Sequence, residues 1–384
     1  MAQPPSPRPS RRRGRRLLFG LTALFVGLVV ALLLLEIALR IWDPLHAPLE
    51  DVRGFYRLDG QGRIETTPGW TGAQIVENRP VPVHMNALGL RGPEVGARAP
   101  GEKRVLVLGD SYIWGQGVKD DQTVPACLQQ ALRKKGYDVT VGNAGMFGTG
   151  PREWSYTLDR HRPTFDPDVV VAVMYVGNDV LDSIMDPLSV YDGWLMISGT
   201  THLKESWRFR MLMSSRVWNY GERLFAKRNL DDIVMQALQT HAPGIKFRPD
   251  EALFLDRDPS RDAEAPYIAN VEAVLTDYFG RFAKAAEGLP TLVVLLPGHE
   301  VALKDYGELL KAYKLDPALH ERGRGHDRLR RLFAAQGIEV VDLAERFLAE
   351  PDRKPLFLPL DWHFSVAGCR KVAAWMLPEI EARL

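Results

Sequence analysis

Five residues spread along the sequence are of the types that acyl transfer requires. The Ser111 hydroxyl could attack an ester carbonyl if a neighbouring base takes its proton, and His363 is a candidate base. Asp361 could accept a hydrogen bond from the imidazole Nδ1–H and so fix the tautomer. The backbone N–H groups of Ser111 and Gly148, with the side-chain amide of Asn178, could stabilise the oxyanion of a tetrahedral intermediate. Taken singly, these residues could equally cap helices or form turns. Their positions along the chain must therefore distinguish a catalytic role from a structural one.

The apolar runs around these residues predict a sheet that would bring them to one edge. Val105–Leu108 reads as a strand buried on both faces, and it leads directly into Gly-Asp-Ser at 109–111. Further strands are predicted at 139–141, 168–176, 291–296 and 338–343, and helices at 121–136, 152–162, 265–288, 320–336 and 365–383. Strands that alternate with helices favour a parallel sheet covered by helices on both faces. Ligands of such sheets bind at the carboxyl ends of the strands.

Four motifs occur in the order found in one family. They are Gly109-Asp110-Ser111 after the first strand, Asn143-Ala144 with Gly148 after the second, Gly177-Asn178-Asp179 after the third, and Asp361 with His363 before the last helix. In this order they resemble the motifs of the SGNH/GDSL-type serine hydrolases, and the resemblance covers about residues 86–384.

The resemblance implies both a fold and a set of roles. Ser111 would be the nucleophile and an oxyanion donor, Gly148 and Asn178 the other two donors, and His363 the general base. Gly148 is preferred to Gly145 because it is the fifth residue after Asn143. The fold implied is a three-layer α/β/α sandwich with a parallel, flavodoxin-like sheet.

The last motif departs from the family pattern. The usual spacing is Asp-x-x-His, whereas here Asp361 and His363 are separated by Trp362 alone. Relatives with the shorter spacing exist, and we predict that Asp361 orients His363. The alternative is a Ser–His dyad in which a backbone carbonyl holds the imidazole Nδ1–H. His299 and Glu300, after the fourth strand, could line the pocket, but they are interpreted as loop surface and not as catalytic residues.

The N-terminal region predicts a membrane anchor. Residues 1–16 contain six arginines and no acid, and 19 positions without a charge follow, from Leu17 to Leu35. At ~1.5 Å per residue this run spans a hydrocarbon core of ~30 Å. A cleavable signal peptide is the alternative, but its apolar region is usually only ~7–15 residues and ends in a small-residue cleavage site, which is missing here. We therefore predict a basic cytoplasmic tail at 1–16, a transmembrane helix at 17–42, and a catalytic domain in the periplasm or outside the cell.

The rest of the chain divides by composition. Residues 43–102 are rich in Pro and Gly and predict an irregular arm, followed by the hydrolase-like domain at 103–384. An insertion at about 180–264 is interpreted as helices that cover the sheet edge or the site. A membrane-surface helix, where basic and aromatic residues alternate between 203 and 228, and a lid over the site stay open as alternatives. Cys127 and Cys369 could be core thiols or one disulfide.

Charge and motif content exclude other classes of partner. The chain has 49 Lys and Arg, so beyond the six N-terminal arginines 43 basic residues face 48 acidic ones, and this mildly acidic balance argues against nucleic acid. No Cys/His ligand cluster, Gly-x-Gly-x-x-Gly or Walker loop is present in the sequence, so neither a metal nor an organic cofactor is implied. The membrane and a small-molecule or glycan ester are the partners that the sequence predicts.

Together these features predict an enzyme, a serine esterase or deacylase acting on an extracytoplasmic carbohydrate or lipid ester. One alternative is an O-acyltransferase that modifies an envelope polysaccharide, because a sugar hydroxyl can resolve the same acyl-enzyme. Another is a non-catalytic, membrane-tethered binding protein of the same fold, against which the complete Ser/Gly/Asn/His set argues. The sequence leaves the acyl group, the acceptor and the oligomeric state open.

Overall fold

The chain divides into two compact units, each of which is described by itself. One comprises Met1–Leu49 with His202–Leu238, and the other Glu50–Thr201 with Gln239–Leu384. The structure, a computed structural model, describes residues 11–42, 54–77, 79–184, 188–191, 194–197, 207, 211, 214–221, 255–258, 260 and 265–384.

The described strands of the larger unit form one parallel sheet and three antiparallel pairs. In chain order the strands are β1 (Tyr56–Leu58), β2 (Ile64–Thr66), β3 (Thr71–Val76), β4 (Arg79–His84), β5 (Lys103–Gly109), β6 (Val139–Gly145), β7 (Val169–Tyr175), β8 (Leu188–Tyr191), β9 (Trp194–Ile197), β10 (Thr291–Leu296) and β11 (Glu339–Asp342). The parallel sheet has the order β11-β10-β7-β5-β6. Strand order reverses between β5 and β7, as in flavodoxin-like folds, where this switch point is the usual ligand site.

Helices flank both faces of that sheet. Among the described residues, the helices of the larger unit are α2 (Ser111–Trp114), α3 (Val124–Lys134), α4 (Pro151–Phe165), α5 (Asp179–Ile184), α7 (Ala265–Ala285), α8 (His299–Leu303), α9 (Tyr306–Ala312), α10 (Arg324–Ala334), α11 (Ala344–Ala349) and α12 (Val366–Glu381). The smaller unit contains α1 (Arg11–Ile41) and α6 (Arg216–Gly221).

The alternation of side chains along the strands builds two cores. Val105 and Val107 of β5 pack in one cluster with residues of α3 and α12, including Leu128. Leu106 and Leu108 point to the other face and pack with residues of α4, α7 and α10. The predicted three-layer α/β/α sandwich with a parallel, flavodoxin-like sheet is thus confirmed.

The strand predicted at 139–141 continues to Gly145. Its apolar run stops early, but the parallel register pairs Leu106 with Gly142 and Gly109 with Gly145. A Cβ on Gly142 would lie 2.9 Å from the Phe165 ring, so helix packing excludes a larger residue. Gly142 and Gly145 therefore belong to a strand because of their pairing with β5 and their packing against a helix. The hydrophobic pattern of the sequence does not predict this part of the strand.

The arm predicted as irregular at 43–102 contains ordered strands. β1 pairs with β2 and β3 with β4, both antiparallel. Pro80 and Pro82 alternate with the buried Val81 and Val83 along β4. Each strand of a two-stranded ribbon has a free edge, on which proline is tolerated. Strand β4 can therefore alternate exposed prolines with buried valines. The prediction missed these strands because the Pro- and Gly-rich composition of residues 43–102 is typical of loops.

The predicted insertion is described only in part, and the two cysteines are not bonded to each other. Within 180–264 the described residues include the pair β8–β9 and helix α6, while most of the region predicted to cover the sheet or form a lid lies outside the described residues. Cys127 and Cys369 are free thiols buried in one core cluster, which answers the open question of a disulfide.

In the smaller unit, α1 includes a candidate membrane span at Arg15–Ile41 with a mean hydropathy of 2.8 in its most apolar window. Its side chains are almost all exposed, unlike those of a core helix. A signal sequence near the N-terminus can pass the same test of length and hydropathy.

Candidate active site

A sharp turn at the carboxyl end of β5 presents Ser111. Asp110 caps α2 by accepting a hydrogen bond from the Tyr112 backbone N–H at 2.9 Å, and Ser111 is the first residue of that helix. A Cβ on Gly109 would lie 2.6 Å from Cγ1 of Ile113, so only glycine fits where the strand meets the helix. Asp110 therefore braces the turn.

The end of β6 holds the same short helix from beside it. The Asn143 side-chain amide donates to the Ile113 carbonyl at 3.0 Å. A Cβ on Gly145 would come within 2.2 Å of the Trp114 backbone nitrogen. Asn143 and Gly145 thus fix the position of α2 and with it the Ser111 hydroxyl. Sequence reasoning had given these two residues no role of this kind.

The structure brings Ser111, His363 and Asp361 together in a line. Ser111 Oγ lies 2.8 Å from His363 Nε2, and His363 Nδ1 lies 2.5 Å from Asp361 Oδ1. The serine hydroxyl can therefore donate to Nε2 while Nδ1–H donates to the carboxylate. The shortened spacing does not prevent the aspartate from reaching the histidine.

The backbone of Trp362 allows the short spacing. Its φ is +68°, in the left-handed region, so the chain turns within a single residue between Asp361 and His363. Holding a non-glycine residue there costs about 1 to 3 kcal/mol. The Tyr112 hydroxyl donates to the Trp362 carbonyl at 3.0 Å, and the Leu358 N–H donates to the His363 carbonyl at 2.7 Å. These two hydrogen bonds help to stabilise the strained turn.

A second hydrogen bond orients the aspartate. The Gln116 side-chain amide donates to Asp361 Oδ2 at 2.8 Å, while Oδ1 faces the imidazole. Burial alone would raise the pKa of Asp361, but the hydrogen bonds from His363 and Gln116 outweigh it and lower the pKa. The carboxylate therefore stays ionised and can stabilise an imidazolium. Sequence reasoning missed Gln116, and its place between Gly115 and Gly117 was the only signal.

The N-terminal arm also supports the catalytic loop. Glu77, at the turn between β3 and β4, accepts hydrogen bonds at Oε1 from the backbone N–H groups of Leu360 (2.6 Å) and Asp361 (3.2 Å). No local sequence signal pointed to this contact, because the partners are more than 280 positions apart. The arm thus reaches the loop that carries the aspartate.

Arg91, also in the arm, braces the turn that carries Gln116. Its buried guanidinium donates to the carbonyls of Trp114 (2.9 Å), Gly115 (2.7 Å) and Val118 (2.6 Å), and its Nε donates to Asp120 at 2.7 Å. A guanidinium that donates to several backbone carbonyls at once stabilises the loop that carries them. Its removal would destabilise the loop, because the buried carbonyl oxygens would lose their hydrogen bonds.

Gly148 and Asn178 follow β6 and β7, the two strands on either side of β5. Both strands run parallel to β5, so both residues lie at the edge of the sheet where Ser111 emerges. Asn178 Nδ2 donates to Asp182 Oδ2 at 2.8 Å, which uses one of the two amide hydrogens. Gly148 has a φ of +58°. Their roles as oxyanion donors stay predictions.

Buried acids surround the nucleophile turn. Burial raises the pKa of Asp110 to about 6, although the nearby His363 opposes the rise. Burial and the charge of Asp110 raise the pKa of Asp179, whose Oδ2 accepts from the Tyr175 N–H at 2.9 Å. Among the residues that the structure describes, no group of three His, Cys, Asp or Glu side chains is arranged to hold a metal ion.

His299 does not lie at the loop surface as predicted. It is half-buried, its backbone N–H donates to the Tyr175 hydroxyl at 2.9 Å, and its Nδ1 lies 2.9 Å from the same oxygen. Its ring stacks on that of Trp362, with centroids 5.6 Å apart. Burial lowers the pKa of His299, consistent with a neutral ring that accepts from Tyr175. His299 therefore supports the catalytic loop through Trp362.

Comparison with known proteins assigns the family. Residues 107–371 match the model of the GDSL-like lipase/acylhydrolase family, which is more than half of the chain. The chain belongs to the GDSL-like lipase/acylhydrolase family. Ser111 and His363 both fall within the matched region, and the chain is a serine esterase-type hydrolase. The search of curated proteins found no match.

Solved structures of low sequence identity resemble this GDSL-like hydrolase in part. TesA is 13% identical over 73% of this chain and 100% of its own, with a TM-score of 0.37. The lipase/acylhydrolase from Enterococcus faecalis is 14% identical over 73% and 97%, with a TM-score of 0.35. The Clostridium thermocellum family 3 carbohydrate esterase is 12% identical over 73% and 97%, also with a TM-score of 0.35. Membership rests on the sequence match.

Proposed function

We propose that Ser111 hydrolyses an acyl ester with His363 as general base and Asp361 as its orienting carboxylate. The observation that carries the proposal is the continuous pair of hydrogen-bond distances, 2.8 Å from Ser111 Oγ to His363 Nε2 and 2.5 Å from His363 Nδ1 to Asp361 Oδ1. A serine placed only as a helix cap would have no need of an aligned imidazole and carboxylate.

The reaction proceeds through an acyl-enzyme. Ser111 Oγ bonds to the ester carbonyl carbon as its proton passes to His363 Nε2, and the carbonyl oxygen becomes an oxyanion. The N–H groups of Ser111 and Gly148 and the Asn178 amide stabilise that oxygen. His363 then protonates the departing alkoxide, which leaves as the alcohol. A water molecule then attacks the acyl carbon as its proton passes to His363. The bond between that carbon and Ser111 Oγ breaks, His363 returns the proton to Oγ, and the acid leaves.

We propose a carbohydrate or lipid ester outside the cytoplasm as the substrate. Leu360 and Trp362, on the loop that carries His363, expose 74% and 43% of their surface. Exposed apolar groups beside a catalytic histidine provide a surface for an acyl chain or a sugar ring. The candidate anchor supports a substrate that is itself part of the cell envelope.

Substrate profiling tests this function. The purified full-length chain in detergent is expected to hydrolyse simple acyl esters, with kcat/KM depending on acyl length, and to release free acid even when a sugar acceptor is added. Transfer of the acyl group to the sugar in place of acid release would identify an O-acyltransferase. Absence of both products across all chain lengths, from protein with a cooperative melting transition, would contradict an ester-cleaving function.

We propose that the N-terminus lies in the cytoplasm and the catalytic domain outside it. Six arginines precede the apolar run Leu17–Leu35, and basic residues are retained on the cytoplasmic side. A reporter that is active only outside the cytoplasm is expected to function when fused after Leu384, and a cytoplasm-dependent reporter at the same point is expected to be silent. The reverse pattern would refute the proposed orientation.

A further inference from the structure

The carboxyl-terminal end of α1 binds a segment that lies far along the chain. Glu36 accepts hydrogen bonds from the backbone N–H groups of Arg216 (2.9 Å) and Val217 (3.0 Å) and from the Ser215 hydroxyl (2.9 Å). Arg40 donates to Glu36 at 2.8 Å and to the Ser214 carbonyl at 2.7 Å. All these residues belong to the smaller unit.

The chemistry of this contact is that of a helix cap supplied from a distance. The first N–H groups of α6 have no partner within their own helix, and a carboxylate satisfies them with charge-assisted hydrogen bonds. The Glu36 side chain is only 18% exposed, so the interaction is largely shielded from water. Residues 214–217 are therefore fixed against the end of α1.

The length of the apolar run sets the depth of this contact. The 19 uncharged residues Leu17–Leu35 extend about 28 Å at ~1.5 Å per residue, close to the thickness of a bilayer core. Glu36 is the first charged residue after the run. With Leu17–Leu35 in the hydrocarbon, Glu36 would lie where the hydrocarbon meets the headgroups, and a segment held by Glu36 would lie at the same depth.

The described residues of this segment carry side chains suited to that depth. Trp207 is 67% exposed and Met211 39% exposed, and the Trp207 ring contacts that of Trp218 with centroids 5.5 Å apart. Tryptophan is enriched at membrane–water interfaces. Across 203–228 the sequence has seven Lys or Arg against two Glu, a balance that favours anionic lipid headgroups.

We propose that Trp207, Met211 and residues 214–221, the last held on α1 by Glu36, form a second membrane contact that lies in the headgroup region of an anionic bilayer. Trp207 and Met211 face the lipid, and α6 is capped by the membrane helix itself. The contact requires that α1 remain attached to the mature protein, because a cleaved helix would take the cap of α6 with it.

Site-directed fluorescence in vesicles tests this proposal. The full-length chain, with Met211→Cys labelled by an environment-sensitive nitrobenzoxadiazole, is reconstituted in phosphatidylcholine with phosphatidylglycerol. Cys127 and Cys369 are buried and should label poorly. Lipids with a shallow nitroxide are expected to quench the label several-fold more than aqueous iodide does. A label on Glu321→Cys, an exposed position of the other unit, serves as the iodide-accessible reference.

Substitution of Glu36 tests the docking step. Glu36→Leu is expected to abolish most of the lipid quenching at position 211, and Glu36→Gln, which keeps one acceptor oxygen, to reduce it less. Ester hydrolysis by both variants should match the wild type, which shows that they fold. Iodide quenching at position 211 in the wild type would overturn the membrane contact. Lipid quenching unchanged in Glu36→Leu, or a mature chain lacking residues 11–42, would overturn the docking on α1.

Discussion

Replacement of Ser111 by alanine is expected to reduce kcat for ester hydrolysis by about 10⁶, the size of loss seen when a triad loses its nucleophile. The residual rate would come from binding and the oxyanion donors alone. Because Asp110 still caps α2 through the Tyr112 N–H, the alanine variant should keep the wild-type melting temperature. Turnover of a chromogenic ester measures the effect.

A fluorophosphonate probe gives an independent readout of the same serine. It should label wild type at Ser111, as located by peptide mass, and should label Ser111→Ala at no site. Ser365 is the matched control, since its hydroxyl caps α12 by accepting from the Gly368 N–H at 3.2 Å. Ser365→Ala should leave labelling intact. Labelling at another serine, or turnover that survives in Ser111→Ala, would disprove the nucleophile assignment.

Replacement of Asp361 by asparagine is expected to lower kcat by about 10⁴, as in triads where the wrong imidazole tautomer results. Gln116 Nε2 donates a hydrogen bond, so the asparagine oxygen should take the position of Asp361 Oδ2. The asparagine NH₂ group then takes the position of Oδ1 and faces His363 Nδ1. An NH₂ group there favours an unprotonated Nδ1 and a protonated Nε2, which cannot accept the serine proton.

Two comparisons make the Asp361 result interpretable. Gln116→Ala removes the second hydrogen bond but leaves the carboxylate, so we expect a loss of only about tenfold. The melting temperature of Asp361→Asn should stay near that of the wild type, because the new side chain has the same shape. An Asp361→Asn enzyme that keeps most of its kcat would establish a Ser–His dyad in place of the triad.

The sequence predicted the sheet and the motif residues because both depend on local signals. Val105–Leu108 and the other buried strands are apolar runs, and the polar motifs directly follow them. The supporting contacts were beyond such reasoning. Glu77 reaches Leu360 across the fold, and the left-handed backbone of Trp362 contradicts the preference of a bulky side chain.

The hairpin contact to the catalytic loop changes where the functional enzyme begins. The family match starts at residue 107, yet Glu77 and Arg91, which hold the loop and the turn around the triad, precede it. A gene fragment cut at the family boundary would encode every catalytic group and omit part of the scaffold that aligns them. A gene fragment for transfer to another anchor, or for expression without one, should therefore start near residue 54, so that the encoded enzyme keeps the arm.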